Sequence, residues 1–225
     1  MFVPRQSASV PHCFCGMVET FSILAMVEKG MNPITTETMK EPKEKELALA
    51  TVCFLVSRGI ETGGDEILLA WKPKNPMKPK IGEEAWNGYG GGVEAGESVS
   101  ETAVRELYEE TGNGVRADVK HLEKIAVVDF HNKKDDGRTF ICRVHFFFVH
   151  EWEGQIGTSG EMIRPTWFPF GALPWDNMMP ADREWLEPIL LRKKKVYAQA
   201  FLADRQRSKV KPTVVTCVRS FKRYE

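Results

Sequence analysis

Three glutamates, Glu106, Glu109 and Glu110, fall at positions i, i+3 and i+4. On a helix that spacing sets all three carboxylates on one face. Like charges so placed cost about 0.2–0.5 kcal/mol per pair, and a solvated helix usually interleaves lysines. Here Arg105 is the cation close by. A solvated acidic face is the plain alternative. The case for chemistry comes from the approach, Gly90-Gly91-Gly92 and then Gly96, which leads into the acidic segment. Hard oxygen ligands on a rigid helix suit Mg²⁺, with Mn²⁺ as its substitute, because both take carboxylates, carbonyls and water. Such an ion neutralises phosphate charge and lowers the pKa of a bound water. The chemistry favoured is attack of water on a polyphosphate.

The elements that must hold these residues are legible around them. Ser98 and Glu101 form a capping box, so a helix is expected over 98–111. Gly112 stands where a helix stops. Val99, Ala103 and Leu107 supply its buried stripe. Residues 47–57 are nearly continuous apolar sequence, which suits a strand buried on both faces. Residues 66–71 read as a second strand after a Gly63-Gly64 turn. Residues 72–85, rich in Lys and Pro, read as a loop. Strands are expected at 122–130 and 139–150, joined by the polar turn 132–137, and at 163–168. Residues 182–194 read as a helix with Trp185, Ile189 and Leu190 along one side. Residues 196–202 and 213–221 would close a terminal hairpin. Strands and helices mix without regular βαβ alternation, so the expected class is an α/β/α sandwich around a mixed sheet.

The chain has 225 residues, with 31 Lys+Arg against 31 Asp+Glu and hence no net charge. Neutrality argues against a general phosphate-backbone binder, so no stable nucleic-acid partner is expected. Apolar residues at 42% and charged residues at 28% exclude collagen-like, coiled-coil and wholly disordered classes. No apolar run is long enough to span a membrane. Residues 1–46 lack sustained periodicity and end in a charged run, so they read as a poorly ordered extension or linker ahead of one domain over 47–225. Met17, Met26, Met31 and Met39 leave alternative starts open. Five scattered cysteines suit a reducing compartment. A cytoplasmic protein is expected, with mitochondrial or nuclear fractions as alternatives. His12-Cys13-x-Cys15 is half a metal site with no partner cluster downstream. The basic run Arg192–Lys195 suits a helix C-terminus or, as the alternative, a nuclear or nucleic-acid patch.

At this spacing the sequence resembles the Nudix hydrolases, whose signature is Gly-x5-Glu-x7-Arg-Glu-U-x-Glu-Glu-x-Gly-U with U aliphatic. Gly91, Glu97, Arg105, Glu106, Leu107, Glu109, Glu110 and Gly112 fall in place without a gap; Asn113 departs at the last position. The resemblance implies that Glu106, Glu109 and Glu110 bind metal, with the Gly90 carbonyl and Glu161 beside them. Glu109 or Glu110 would help activate the water. Arg105 would orient the glutamates, while Gly91, Glu97 and Gly112 would be structural. The reaction implied is hydrolysis of a nucleoside diphosphate linked to a further group.

Within the family, segments 86–93, 161–168, 178–185 and 190–195 are similar to mammalian MutT-type enzymes that hydrolyse oxidised purine nucleoside triphosphates. By that resemblance Asn87 and Asp182 read the base and Trp185 lines the pocket. Thr51, Lys72 and Phe130 match other pocket positions. Met179 stands where the relative has a stacking tryptophan, and Ala181 replaces the first of two aspartates. Val128 replaces a phenylalanine. Methionine packs more adaptably on a purine face, which favours purine triphosphates over strict preference for 8-oxo-dGTP. ADP-ribose, dinucleoside polyphosphates, capped RNA and a non-catalytic binding module are the alternatives. A monomer is the default.

Overall fold

The computed structural model describes residues 46–75, 77, 82–133 and 137–225. The expected extension lies outside these residues up to Lys45, and the His12-Cys13-x-Cys15 cluster with it. Parts of the Lys- and Pro-rich loop and of the 132–137 turn also lie outside.

In chain order the strands and helices are β1 (Glu46–Arg58), β2 (Asp65–Lys72), β3 (Ala85–Asn87), α1 (Val99–Glu110), β4 (Val115–Arg116), β5 (Leu122–Lys133), β6 (Thr139–Val149), β7 (Glu153–Gly154), β8 (Ile163–Pro169), α2 (Asp182–Arg192), β9 (Lys195–Ala203) and β10 (Ser208–Val218). An eight-stranded sheet runs β10-β9-β5-β6-β1-β2-β3, with β8 also on β2. β1 runs parallel to β6 and β5 parallel to β9, while the other neighbours are antiparallel. The sheet is therefore mixed, as expected. β4 and β7 form a small separate ribbon.

Alternation along the strands sends successive side chains to opposite faces. Phe54, Val128, Phe146 and Ala198 point into a core closed by Trp185, Leu186 and Ile189 of α2. Cys53, Leu55 and Phe147 point the other way, onto Ala103 and Leu107 of α1. A helix thus covers each side, the expected sandwich.

The start of α1 is fixed by its side chains. Ser98 Oγ accepts from Glu101 N, and the Glu101 carboxylate accepts from Ser98 N at 2.8 Å. Gly112 ends it at φ +70°, where an added Cβ would lie 2.5 Å from Thr158 O. Only glycine suits both the angle and the space. α2 stops at Arg192, two residues short of the expected end, because Lys193 takes a left-handed backbone. β1 is buried on both faces only from its middle onward. Leu47 and Leu49 are exposed, because the start of β1 borders an open cavity, not the core. β3, β4 and β7 are too short to carry a periodic pattern, and so the sequence does not announce them. Among the described residues no helix is long and apolar enough to cross a membrane.

Candidate functional site

The glutamates of α1 face the glycine loop that precedes it. Glu110 is buried, and its Oε2 accepts from Gly90 N at 2.6 Å. Gly91 has no room for a Cβ, since the Glu106 carboxylate occupies that position. Arg105 ties the group together. Its Nε and Nη2 donate to the two oxygens of Glu97 at 2.7 and 2.8 Å, a bidentate clamp. Its Nη1 donates to Glu106 at 2.8 Å and reaches Glu109 at 3.4 Å, while Nη2 also reaches Gly92 O at 3.3 Å. Donation from Arg105, then from the Thr102 hydroxyl, holds the Glu97 carboxyl down at about 2. The guanidinium is held above its usual range in turn, chiefly by Glu97. Its donors are thus spent within the chain.

Burial drives the Glu110 pKa up to about 7. Lys72 and the Gly90 N–H pull it down; Glu106 and Glu161 push it up. These groups therefore share one electrostatic neighbourhood. The donor set of Glu106, Glu109, Glu110 and Glu161 is hard oxygen, the chemistry that fits Mg²⁺. Among the described residues no three acidic, imidazole or thiol side chains converge on one point as they stand. Arg105 draws on Glu106 and Glu109 while the Gly90 N–H draws on Glu110, and mutual repulsion keeps bare carboxylates apart.

On the other side of the glycine loop opens a cavity of about 350 Å³. Gly90, Gly91 and Gly92 form its rim, and Thr51, Lys72, Asn87, Phe130, Met179 and Asp182 line it. Asn87 Nδ2 donates to Gly82 O at 2.9 Å and to Ala85 O at 3.3 Å, which leaves its Oδ1 for other use. Asp182 is buried on the first turn of α2. Its Oδ1 accepts from Trp185 Nε1 at 3.2 Å and its Oδ2 from Met179 N at 3.3 Å. Burial nevertheless outweighs these donors and drives its pKa up to about 7. The Thr51 hydroxyl is buried without a partner among the described residues. A larger cavity of about 460 Å³ near Arg58 and Lys193 is lined by neither the Gly90–Gly92 loop nor the α1 glutamates, so size does not mark the site.

Trp185 does not line the cavity. It is fully buried, lies 4.2 Å from the Phe146 ring and acts on the cavity through Asp182. Glu161 lies beside Lys72 at a small neighbouring cleft. Val128 belongs to the core on the α2 side. Sequence reasoning missed Met178, Cys142 and Gln206, which also line the cavity. Cys142 sits opposite Phe130 in the β5–β6 register, so strand alternation offered a signal for it. Gln206 sits in the turn of the last hairpin, where no pattern pointed to it.

Residues 48–189 match the NUDIX domain family. The chain belongs to that family. This Nudix chain is 37% identical over 147 residues to the oxidized purine nucleoside triphosphate hydrolase of Danio rerio, covering 65% of this chain and 81% of the relative. It is 36% identical over 118 residues to the Mus musculus protein of the same name, covering 52% of this chain and 70% of that one. Among solved structures, a mutator MutT protein from Bacillus halodurans superposes with a TM-score of 0.55 at 21% identity, over 75% of this chain and 97% of that one. That likeness supports the fold alone. Nudix hydrolases generally act with a divalent metal, and the oxygen donors assembled by α1 match that need.

Proposed function

We propose that this Nudix hydrolase is a Mg²⁺-dependent pyrophosphohydrolase of oxidised purine nucleoside triphosphates such as 8-oxo-dGTP, releasing a nucleoside monophosphate and pyrophosphate. Its role would be to cleanse the nucleotide pool. The observation that carries the reading is the seam at Gly90–Gly92, which borders the cavity on one side and meets the α1 glutamates on the other. A base in the cavity sends its phosphate chain across that seam. The two named relatives, from Danio rerio and Mus musculus, support the substrate class.

Glu106, Glu109, Glu110 and Glu161 would hold the metal. When bound, the metal would neutralise polyphosphate charge and acidify water. The chain's own groups do the rest. Lys72 offers a cation to the phosphates at the rim. Glu110 or Glu109 accepts the proton of the attacking water. The new P–O bond forms at one phosphorus of the α–β bridge, the bridging P–O bond breaks, and pyrophosphate separates from the monophosphate. Arg105 keeps the glutamates aimed. Asn87 and Asp182 read the base.

The test is pyrophosphate release with Mg²⁺ from 8-oxo-dGTP, 2-hydroxy-dATP, dGTP and ADP-ribose. Preference for an oxidised purine is expected. Glu110→Gln should lower turnover on the order of 10²–10⁴-fold while the protein stays folded. Preference for ADP-ribose, or wild-type turnover in the variant, would overturn the reading.

A further inference from the structure

Gln206 belongs to the short turn Asp204–Gln206 between β9 and β10, outside every segment that sequence reasoning tied to the site. Its side chain nevertheless lines the cavity beside Met178, Met179 and Asp182. The residue is only 6% exposed, and among the described residues no group takes up its carboxamide. An amide that lines an open cavity and spends none of its hydrogens on the described residues has them available to a ligand there. The turn is unusual in its backbone, since Asp204 and Gln206 adopt φ +51° and +68°, angles that residues other than glycine seldom take.

The donors of the cavity explain what such an amide is for. Both amide hydrogens of Asn87 go to backbone carbonyls, so Asn87 faces the cavity as an acceptor. Both oxygens of Asp182 already accept from Trp185 and Met179. The neutral side-chain donors left on the wall are the Thr51 hydroxyl, the Gln206 amide and the Cys142 thiol, the last a weak donor. A 6-oxo purine turns a carbonyl acceptor to whatever reads that edge, whereas a 6-amino purine turns a donor. We infer that Gln206 is a specificity residue that donates its amide hydrogen to a carbonyl of the bound purine. This rests on the proposed purine substrate and adds the residue that selects within it.

The test is calorimetric binding of 8-oxo-dGMP and 2-hydroxy-dAMP to the full chain, wild type against Gln206→Met and Gln206→Gly. Methionine keeps the length and removes the donor. Glycine removes the side chain and relaxes the left-handed backbone, so its melting temperature should equal or exceed wild type. Both variants should bind 8-oxo-dGMP about tenfold more weakly, with a smaller loss for 2-hydroxy-dAMP. A purely structural role would not weaken binding in a variant that melts no lower. Wild-type affinity for 8-oxo-dGMP in the glycine variant overturns the inference. If wild-type enzyme still hydrolyses oxidised purine triphosphates in that case, the proposed function stands without it. A wild-type protein that neither binds nor hydrolyses these nucleotides overturns both.

Discussion

At the scale of single residues, the site depends on carboxylates kept in unlike surroundings. Asp182 is the clearest case. In the unfolded chain its carboxyl ionises near about 3.9. In the fold, burial moves it up to about 7. Between those values the unfolded state binds fewer protons than the folded one, so stability falls as pH rises through the window. The contribution is complete below the unfolded pKa and is lost on passing the folded one. Asp182→Asn carries no such charge. Its melting temperature, taken as a difference from wild type, should therefore rise between about pH 5 and pH 7 and level off above that. A flat difference would mean that Trp185 and Met179 alone keep the buried carboxylate charged. None of this is legible from the sequence. Asp182 stands at the head of an apparent helix, where an aspartate can serve simply as a cap. Only the packed fold reveals that it is buried and that Trp185 serves it from beneath the cavity floor.

At the scale of the element, α1 carries the acidic face of the candidate site and much of what the sequence discloses. Capping, stripe and stop are local patterns, and so the helix and its acidic face were readable by spacing alone. β3 was not, because long-range pairing sets it, and the last hairpin was legible only as two strands, the second of which starts at Ser208 and not at 213. The helix also separates anchoring from aim. Ser98 only caps it, so Ser98→Ala should cost about 1 kcal/mol of stability with little change in turnover. Arg105 spans Glu97, Glu106, Glu109 and Gly92 O. A lysine has one nitrogen and cannot clamp Glu97 in bidentate fashion while reaching the others. Arg105→Lys should lower activity on the order of 10–100-fold and raise the Mg²⁺ concentration needed for half-maximal rate, as loss of an outer-shell partner does. Urea denaturation and Mg²⁺ titration of both variants separate the two effects. Equal loss of activity in both would mean that helix integrity, not aim, is what the site requires.

At the scale of the whole molecule, the sheet has a second polar junction on the face turned away from α2. Asp129 of β5 is buried and takes Arg143 of β6 in a bidentate pair at 2.8 and 3.0 Å, with the Tyr197 hydroxyl of β9 at 2.9 Å. The chain end is drawn over this junction. Tyr224 stacks on Tyr197 at 4.0 Å and accepts from Arg143 through its carbonyl at 3.4 Å. Burial works to raise the Asp129 pKa, but Arg143 and Tyr197 outweigh it and hold the carboxyl below its usual range. In wild type the pair therefore contributes stability above the unfolded pKa, and loses it as pH falls through the folded one. Arg143→Met leaves a buried carboxylate with a lone hydroxyl donor, which should cost about 3–5 kcal/mol at pH 7. The sign of the pH dependence should invert as well. With the guanidinium gone, burial raises the Asp129 pKa, so acidification relieves the strain it aggravates in wild type. Urea denaturation at pH 5 and pH 7 should therefore show the variant's deficit shrinking toward acid. The double variant Asp129→Leu/Arg143→Met should recover most of the loss, because apolar packing replaces both charges at once. If the single variant lost under about 1 kcal/mol with an unchanged pH slope, water would be reaching Asp129. The stacked tyrosines would then hold the chain end to the sheet without the ion pair.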